Sequence, residues 1–403
     1  MAGILEGVRV LEVAQWWFVP SAGAVLADWG ADVIKIEHPE VGDPQRGLMT
    51  SGMVPGGGGG INYMMEQPNR GKRSVGIDIK SEGGREVLYR LAESSDVFLT
   101  SFLPDARRRL RIDVEDLRAR NPNLVYARGS GQGTRGPDAE KPGFDGTSFW
   151  CRGAIATMLT PRDREQPVAP RPAFGDGISG MTLAGAVAGA LFRRERTGVA
   201  PVVDVSLLGV AMWVLSPDIN ISAVTEAIPI PGRGAPANPL VNNYRARDGR
   251  WIQLCMLQAD RDWPDFCRHI GRPDLVADPR YADLRRRAEN AAALVEELDA
   301  IFAARPLAEW RKQLATLQGA WTPVQTPREL HEDPQALANG YLRDVEAPDG
   351  SSFQLVASPV QYDEAPPELR PAPEHGQHTE EVLLELGLSW DEIVQYKEGR
   401  AIL

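Results

Sequence analysis

An uncharged run of small and apolar residues, from Ile178 to Phe192, constrains the fold more than any other stretch of the chain. Such a run predicts a helix that is buried on every side, and its Gly and Ala residues would let another backbone approach closely. Arg193 and Arg194 follow where the negative end of the helix dipole favours cations, and Gly198 is a typical helix stop. The rest of the fold must therefore be arranged around a buried helix.

Asp176 stands two residues before this run, at the positive end of the predicted helix. A carboxylate in this position is typical of a helix cap, which accepts hydrogen bonds from backbone N–H groups. It is also a suitable place for a carboxylate nucleophile, whose covalent adduct would be stabilised by exposed backbone N–H groups. The position alone leaves both interpretations open.

The first forty residues contain a βαβ pattern. Val8–Val13 and Val33–Glu37 are β-branched runs typical of buried strands, and Pro20–Gly30 carries small and apolar residues at helical spacing. This is the opening of a Rossmann-like sheet. The glycine fingerprint of dinucleotide binding is missing between the first strand and the helix, which argues against nicotinamide-dependent reduction.

The alternation of strands and helices continues, so we predict an α/β fold with a Rossmann-like large domain and a smaller α/β domain. The 104–120 segment is predicted as one helix, the glycine run at 55–60 as a surface loop, and the four cations of 69–80 as either the solvated start of a strand or an anion clamp. The predicted boundaries are a first part of the large domain at 1–216, a linker at 217–239, a small domain at 240–318, and a linker with return to the large domain at 319–403.

Charge and cysteine content exclude several classes of function. The formal net charge of −11 argues against nucleic acid and against an anionic membrane surface as partners. The three cysteines are scattered and predict neither a disulfide framework nor a zinc site. No apolar run has the length of a membrane span, and the N-terminal residues lack the pattern of a signal peptide, so we expect a cytoplasmic protein.

Nine segments carry a family signature across almost the whole chain. In order they are LEGVRVLEVAQ at 5–15, NRGKRSVGIDIK at 69–80, NPNLVYARGSGQG at 121–133, PGFD at 142–145, DGISGM at 176–181, VDVSLL at 203–208, NNYRARDGRW at 242–251, TPVQTPRELHEDPQ at 322–335 and GQHTEEVLLELG at 376–387. Together they resemble the class III CoA-transferases, the family of formyl-CoA transferase and carnitine CoA-transferase, which also includes α-methylacyl-CoA racemase. The resemblance implies an interlocked homodimer that moves coenzyme A from an acyl-CoA to a carboxylic acid, with no tightly bound cofactor and no metal.

The resemblance also implies the site residues. Asp176 would be the nucleophile that becomes an aspartyl-CoA thioester, and N–H groups near Gly177 and Ile178 would hold the oxyanions. Four of the implied coenzyme contacts are His38, Lys80, Arg109 and Lys141, which suit phosphates, although each cation alone is typical of a solvated surface. The other implied contacts are Trp17, Phe18, Ile77, Asp78, Ser101, Phe102, Leu103, Phe144 and Asp145.

Two alternatives share the fold. A 2-methylacyl-CoA racemase would abstract a proton with a His in the Gly-x-Asp triplet of the Gly/Pro loop, but Phe144 stands there and cannot transfer a proton. A non-catalytic coenzyme-binding homologue would not need a carboxylate at Asp176. Both are weaker hypotheses than a CoA-transferase.

Large apolar residues replace polar or small ones near the predicted site. Trp17 stands where formyl-CoA transferase has Gln, Leu48 replaces a Trp of that enzyme, and His38 replaces an Arg; aromatic residues fill 149–150 before Arg152. We expect the substrate to be a medium-sized or aromatic acid rather than oxalate or formate. Since Arg152 is able to pair with a second carboxylate, a dicarboxylic acid remains an alternative. The alternative is that these aromatic residues belong to the domain core.

Overall fold

The computed structural model describes residues 3–49, 51–52, 60–161, 164–225, 232–347 and 349–403. The predicted glycine loop (except Gly60), residues 226–231 of the predicted linker and Pro348 of a predicted hairpin turn lie outside the described residues. The chain divides into two compact units, one formed by Met1–Val224 with Gln335–Leu403 and the other by Thr225–Pro334. The domain boundaries proposed from sequence remain predictions.

The first unit is built on a six-stranded parallel sheet. Its strands are β1 Arg9–Val13, β2 Asp32–Glu37, β3 Arg73–Gly76, β4 Val97–Thr100, β5 Val125–Ser130 and β6 Val202–Ser206. The order β3-β2-β1-β4-β5-β6 is that of the Rossmann fold, whose strand order reverses between β1 and β4. Most residues of β1 and all four of β4 are buried, as expected for parallel strands that are covered on both faces.

Helices cover both faces of this sheet. They are α1 Phe18–Asp28, α2 Tyr63–Asn69, α3 Glu82–Glu93, α4 Pro104–Leu110, α5 Val114–Arg118, α6 Ile155–Leu159, α7 Phe174–Thr197, α8 Leu207–Val214 and α9 Ser216–Ser222, with a π-helical segment at Asp145–Arg152. The helices α1 and α7 pack so closely at Gly180 that a Cβ atom there would clash with Ser21 Oγ. Glycine at 180 therefore permits the close approach of the two helices.

The prediction that α7 is buried on every side is wrong. One face, with Leu183, Ala184 and Val187, lies in the core, whereas Ile178 and Phe192 on the opposite face are exposed. The helix also begins earlier than predicted, so Asp176 belongs to its first turn and is not its cap. An uncharged run thus indicates a helix with two apolar faces, of which this chain buries one.

The predicted single helix at 104–120 is two short helices. Arg111 takes a left-handed conformation with φ of 56°, which ends α4. Asp113 then caps α5 through its side chain, with Asp116 completing a capping box. An Asp capable of capping inside a helical pattern was the available signal for this break.

Two of the four cations of 69–80, Arg70 and Lys72, are buried in ion pairs, so neither interpretation from sequence holds for these two, whereas Lys80 is exposed. Lys72 Nζ lies 2.7 Å from Glu12 Oε2, and Lys35 Nζ lies 3.2 Å from Glu12 Oε1 and 2.8 Å from Asp43 Oδ2. These four side chains, which we call the Glu12 cluster, are almost completely buried beneath the start of α1. Arg70 likewise pairs with buried Asp28 at 2.7 Å.

The second unit is a small α/β module with its own core. Its antiparallel sheet has the order β7 Val241–Arg245, β8 Trp251–Cys255 and β9 Trp321–Pro323, and its helices are α10 Ala259–His269, α11 Leu284–Glu289, α12 Ala291–Ala303, α13 Leu307–Gln313 and α14 Pro327–Leu330. Tyr244 and Phe302 stack at 5.1 Å between ring centres, and Trp310 packs against Phe302. The core of this unit is therefore aromatic.

The C-terminal segment returns to the first unit. After α15 Pro334–Ala338 it forms the hairpin β10 Leu342–Glu346 with β11 Ser352–Val356, then α16 Thr379–Glu385 and α17 Trp390–Glu398. Ile402 pairs with Ile77 beyond the end of β3, where Asp78 N–H donates to the Ala401 carbonyl at 2.8 Å. Within the described ranges, no helix combines the length and the apolar composition that a bilayer crossing requires.

Candidate active site

A groove opens at the carboxyl ends of β1, β4 and β5, where the strand order reverses. Ligands of open α/β sheets bind at this place because the diverging connections leave a crevice there. The groove, which we call the Asp176 groove, has a volume of about 250 Å³. Its walls include Trp16 and Phe18, Ser101 to Leu103, Gly129 to Gly131, Gly143, Phe144 and Asp176.

Asp176 is the ionisable side chain of this groove with a strongly perturbed acidity. Burial raises the pKa of Asp176 to about 7, and the nearby Asp145 carboxylate adds to the rise. A carboxylate that is poorly solvated and close to a like charge is a stronger nucleophile than one in water. Near neutral pH the side chain is divided between its charged and neutral forms.

Asp145 supplies the cap of α7. Its Oδ2 accepts a hydrogen bond from Gly175 N–H at 3.0 Å. Burial raises the pKa of Asp145, and hydrogen bonding from the backbone at the start of α7 opposes the rise. The start of α7 therefore faces a carboxylate, as the positive end of a helix favours.

The oxyanion prediction at Gly177 and Ile178 is wrong in this geometry. Gly177 N–H donates to the Ala173 carbonyl at 3.0 Å, and Ile178 lies inside the helical hydrogen-bond pattern of α7. Neither N–H group is free to hold a substrate oxygen. The sequence pattern favours these groups because it predicts a helix that starts directly after Asp176, whereas α7 starts three residues earlier, at Phe174.

A first prediction concerns Asp145. We expect Asp145→Asn to remain folded, since the amide oxygen can still accept from Gly175, and to lower the pKa of Asp176 by about half a unit to one unit. The acidic limb of the pH profile of kcat/KM should shift to lower pH by the same amount. Asp138→Asn, which changes an acid of the same loop that pairs with Lys141, is the control. An unshifted profile for Asp145→Asn would contradict this prediction.

A second cavity adjoins the Asp176 groove. This cavity, the His38 pocket, has a volume of about 250 Å³ and shares Gln15 and Phe102 with the groove. Its other walls come from the ends of β2 and β3, including His38, Ile77, Asp78 and Lys80. The two cavities form a path along the sheet edge that is suited to an elongated ligand.

The structure brings most of the implied coenzyme contacts to this path. Phe18, Ser101, Phe102, Leu103 and Phe144 line the groove, and His38, Ile77, Asp78 and Lys80 line the pocket. Trp17 instead lines a different cavity, and Asp145 is engaged with α7. Arg109 and Lys141 are exposed and line neither cavity, and Lys141 pairs with Asp138 at 2.7 Å.

The loop after β1 is held by the Glu12 cluster, which sequence reasoning missed. Trp16 has a φ of 71°, and its N–H donates to Asp43 Oδ1 at 3.2 Å. Lys35 Nζ pairs with Asp43 and donates to the Ala14 carbonyl at 3.0 Å. The available signal was a charged residue in the middle of each of two apolar strands. The cluster fixes the wall of the groove without facing it.

The aromatic residues after Asp145 belong to the core, as the alternative interpretation predicted. Phe149 and Trp150 are buried, and the Trp150 indole N–H donates to the Val168 carbonyl at 2.7 Å. Arg152 pairs with Asp138 at 2.7 Å at the surface. These side chains therefore do not form the acid site that the sequence suggested. Among the described residues there is also no cluster of three potential metal ligands.

Comparisons with known sequences and structures all point to one protein family. The sequence profile described as CoA-transferase family III matches residues 5–379. The (R)-2-hydroxy-4-methylpentanoate CoA-transferase of Clostridioides difficile is 32% identical, with 99% of each chain covered. The cinnamoyl-CoA:phenyllactate CoA-transferase of Clostridium sporogenes is 33% identical, covering 99% of this chain and 97% of that protein. A crystal structure of a CAIB/BAIF family protein from Brucella suis superposes with a TM-score of 0.81 at 29% identity, covering 96% of this chain and 100% of the other.

Proposed function

Because the chain belongs to CoA-transferase family III, it is an enzyme that transfers coenzyme A between carboxylic acids, and we propose that Asp176 carries the transfer. The observation that supports this role is the position of Asp176 in the groove at the strand-order reversal, with a pKa raised to about 7 by burial. No other carboxylate lines the Asp176 groove within the described ranges.

The proposed reaction runs through two anhydrides and one thioester. The Asp176 carboxylate attacks the thioester carbonyl of the donor, the C–S bond breaks, and the coenzyme leaves as a thiolate. The thiolate attacks the Asp176 carbonyl of the mixed anhydride, which releases the donor carboxylate and leaves an aspartyl-CoA thioester. The acceptor carboxylate then attacks the carbonyl of this thioester, the C–S bond breaks, and a second mixed anhydride and free thiolate form. The thiolate attacks the acceptor carbonyl of that anhydride, which gives the new acyl-CoA and releases the Asp176 carboxylate. Protons and electrons balance without a base, a metal or a redox partner.

Coenzyme A is proposed to lie along the path from the His38 pocket to the Asp176 groove. Lys80 is a cation suited to its phosphates, His38 and Ile77 line the same pocket and would lie beside the nucleotide, and Phe102 lies where the two cavities meet. The thioester would then reach Asp176. Coenzyme A is carried as a substrate, and we propose that no cofactor is tightly bound.

The proposed acid is medium-sized and apolar, with a branched or aromatic body. Two relatives that match almost the whole chain are named for 2-hydroxy-4-methylpentanoate and for phenyllactate with cinnamoyl-CoA. The apolar walls near the groove favour the same class, since burying a phenyl-sized group is worth roughly 2 kcal/mol. We expect catalytic efficiency for an aryl-propionate to exceed that for oxalate about thirtyfold.

The test is incubation with a panel of acyl-CoAs and acids, with exchange followed by mass spectrometry. Exchange of coenzyme A into branched or aryl acids is the expected result. A preference for oxalate or formate would contradict the proposed acid class, and absence of exchange with every pair would contradict the proposed transfer. Loss of α-deuterium from a labelled 2-methylacyl-CoA would instead support the racemase alternative, although Phe144 lacks a transferable proton.

We further propose an interlocked homodimer in the cytoplasm. Trp213 on α8 is 78% exposed and Phe192 on α7 is 68% exposed, and exposed apolar side chains of this size mark protein interfaces. Gly185 and Gly189 on the exposed face of α7 leave room for a close backbone approach. The predicted linkers at 217–239 and 319–327 would let the two subunits thread through each other.

An interlocked homodimer should not dissociate into monomers on dilution. Interlocked subunits cannot separate without opening a chain, so we expect light scattering to give twice the 44.1 kDa chain mass even at micromolar concentration and below. A substantial monomer population under these conditions would contradict the interlocked arrangement.

A further inference from the structure

Two aromatic side chains meet at the solvent side of the Asp176 groove. Trp16 follows β1, Phe144 directly precedes the π-helical segment, and both line the groove together with Asp176. Their ring centres are 5.7 Å apart and their planes cross at 88°, which is a favoured edge-to-face arrangement. Phe144 is 53% exposed although it lines the groove, so its ring lies at the boundary between the groove and solvent. The Trp16–Phe144 pair therefore forms part of the mouth of the groove.

The backbone of Trp16 is held in a conformation that a bulky residue rarely adopts. Its φ of 71° lies in the left-handed region, where a side chain of this size is strained. Asp43 maintains this conformation, since its Oδ1 accepts from Trp16 N–H at 3.2 Å and its Oδ2 pairs with Lys35 in the buried Glu12 cluster. Strain that is maintained by the surrounding structure in this way is typical of functional sites.

The backbone of Phe144 is anchored on both sides. Its N–H donates to Thr147 Oγ1 at 3.0 Å and its carbonyl accepts from Ser148 N–H at 2.8 Å, so it caps the π-helical segment. On the other side, Gly143 packs so closely against Gly131 that a Cβ atom at Gly131 would lie 2.5 Å from Gly143 Cα. Both rings of the pair are thus carried by anchored backbone.

The proposed transfer passes through adducts of Asp176 that water would destroy. Water that attacks the carbonyl of the aspartyl-CoA thioester forms a C–O bond and breaks the C–S bond. The thiolate takes a proton from the water, and Asp176 returns as a carboxyl group beside free coenzyme A. The net result is hydrolysis of the acyl-CoA, a side reaction that enzymes prevent by excluding water from the site. Asp176 is the one charged side chain among the described residues that line the groove, so its other walls have no charge to retain water.

We propose that the Trp16–Phe144 pair keeps water away from the Asp176 adducts and so makes a carboxylic acid, rather than water, the acceptor. The inference rests on the proposed role of Asp176 and adds two specificity-determining residues to that site. The specificity is a choice between a carboxylate and water, and it holds for whichever acid the enzyme transfers.

The test measures how acyl-CoA turnover divides between transfer and hydrolysis. The probes are 3-phenylpropionyl-CoA and deuterated 3-phenylpropionate, or the fastest pair of the acid panel if these two do not exchange. A thiol reagent follows free coenzyme A, and mass spectrometry follows the labelled acyl-CoA. We expect Phe144→Ala and Trp16→Ala to raise the ratio of hydrolysis to transfer at least about tenfold. Phe144→Tyr keeps the ring and should stay within about twofold of the wild type.

Two controls separate loss of water exclusion from general damage. Trp390→Ala removes an aromatic side chain of α17 that is 59% exposed, and it should leave the ratio unchanged. The double variant Asp176→Ala with Phe144→Ala should lose the added hydrolysis, because water then has no adduct to attack. In heavy-oxygen water, hydrolysis in Phe144→Ala should place the heavy isotope in the Asp176 carboxyl group. A purely structural effect would lower transfer and hydrolysis together and leave their ratio as it is.

Phe144→Ala decides the outcome if Trp16→Ala fails to fold, since the Phe144 side chain is half exposed. A ratio within about twofold of the wild type in folded Phe144→Ala would overturn the inference while the proposed function stands. Failure of the proposed function looks different, because the wild type would then exchange none of the acids, or Asp176→Ala would retain exchange.

Discussion

Asp176→Ala is expected to fold, to bind coenzyme A and to lose transfer by at least three orders of magnitude, because no other carboxylate among the described residues lines the groove to take over the covalent route. Incubation of the wild type with an acyl-CoA alone should leave coenzyme A attached at Asp176, and hydroxylamine should trap the same residue. Mass spectrometry of the digested protein measures both. Turnover within tenfold of the wild type in Asp176→Ala would refute the assignment.

The Asp176→Asn variant, which replaces the carboxylate with an amide of the same shape, tests how ionisation of Asp176 affects stability. Burial raises the folded-state pKa of Asp176 to about 7, above its unfolded value of 3.8, so ionisation of this group weakens the fold as pH rises between these values. Above pH 7 that penalty is fully present, and Asp176→Asn removes it. We expect Asp176→Asn to be inactive and more stable than the wild type at pH 8 by on the order of 2 kcal/mol. At pH 4 the two proteins should be nearly equal.

Glu12→Leu is expected to have the largest effect on stability, about 3–5 kcal/mol of lost unfolding free energy. Glu12 lies between Lys35 and Lys72, and its loss leaves two buried ammonium groups with Asp43 as their counter-charge. Burial lowers the pKa of Lys72 to about 8 even with Glu12 present, so this charge is already costly. Urea denaturation measures the change.

The control for Glu12 is an exposed ion pair. Arg108 pairs with Glu140 at 2.8 Å on the surface, and Arg108→Gln should change stability by less than about 0.5 kcal/mol. If Glu12→Leu unfolds at the wild-type urea concentration, the buried cluster does not stabilise the fold in the way we infer. A folded but weakened Glu12→Leu should also bind acyl-CoA less tightly, since the Trp16 loop depends on the cluster.

The fold class was predictable because it depends on local patterns. The β-branched runs around Val10 and Ile34 and the small residues of α1 specify a βαβ unit whatever lies elsewhere in the chain. The order of the strands confirms the Rossmann-like prediction. The family, too, was predictable, because nine short segments keep their order.

The details of the site depend on contacts between distant residues, which a pattern does not contain. Asp145 caps α7 from a preceding loop, and nothing at Asp145 itself distinguishes a cap from a coenzyme contact. The apolar runs around Glu12 and Lys35 are the signal for a buried ion pair, but they do not indicate that Lys72, far along the chain, joins it. Trp17, Met181 and Ser358 come from three distant parts of the chain and line one cavity, so the sequence could not predict that they lie around the same space.

The pairing of Ile402 with Ile77 joins one wall of the His38 pocket to a distant segment of the chain. Ile77 and Asp78 line that pocket, Ile77 pairs with Ile402, and Asp78 N–H donates to the Ala401 carbonyl at 2.8 Å. Local opening of a protein segment costs less free energy than global unfolding. The segment at 401–402 can therefore detach while the parallel sheet stays folded, and its detachment would loosen this wall of the pocket without disturbing Asp176.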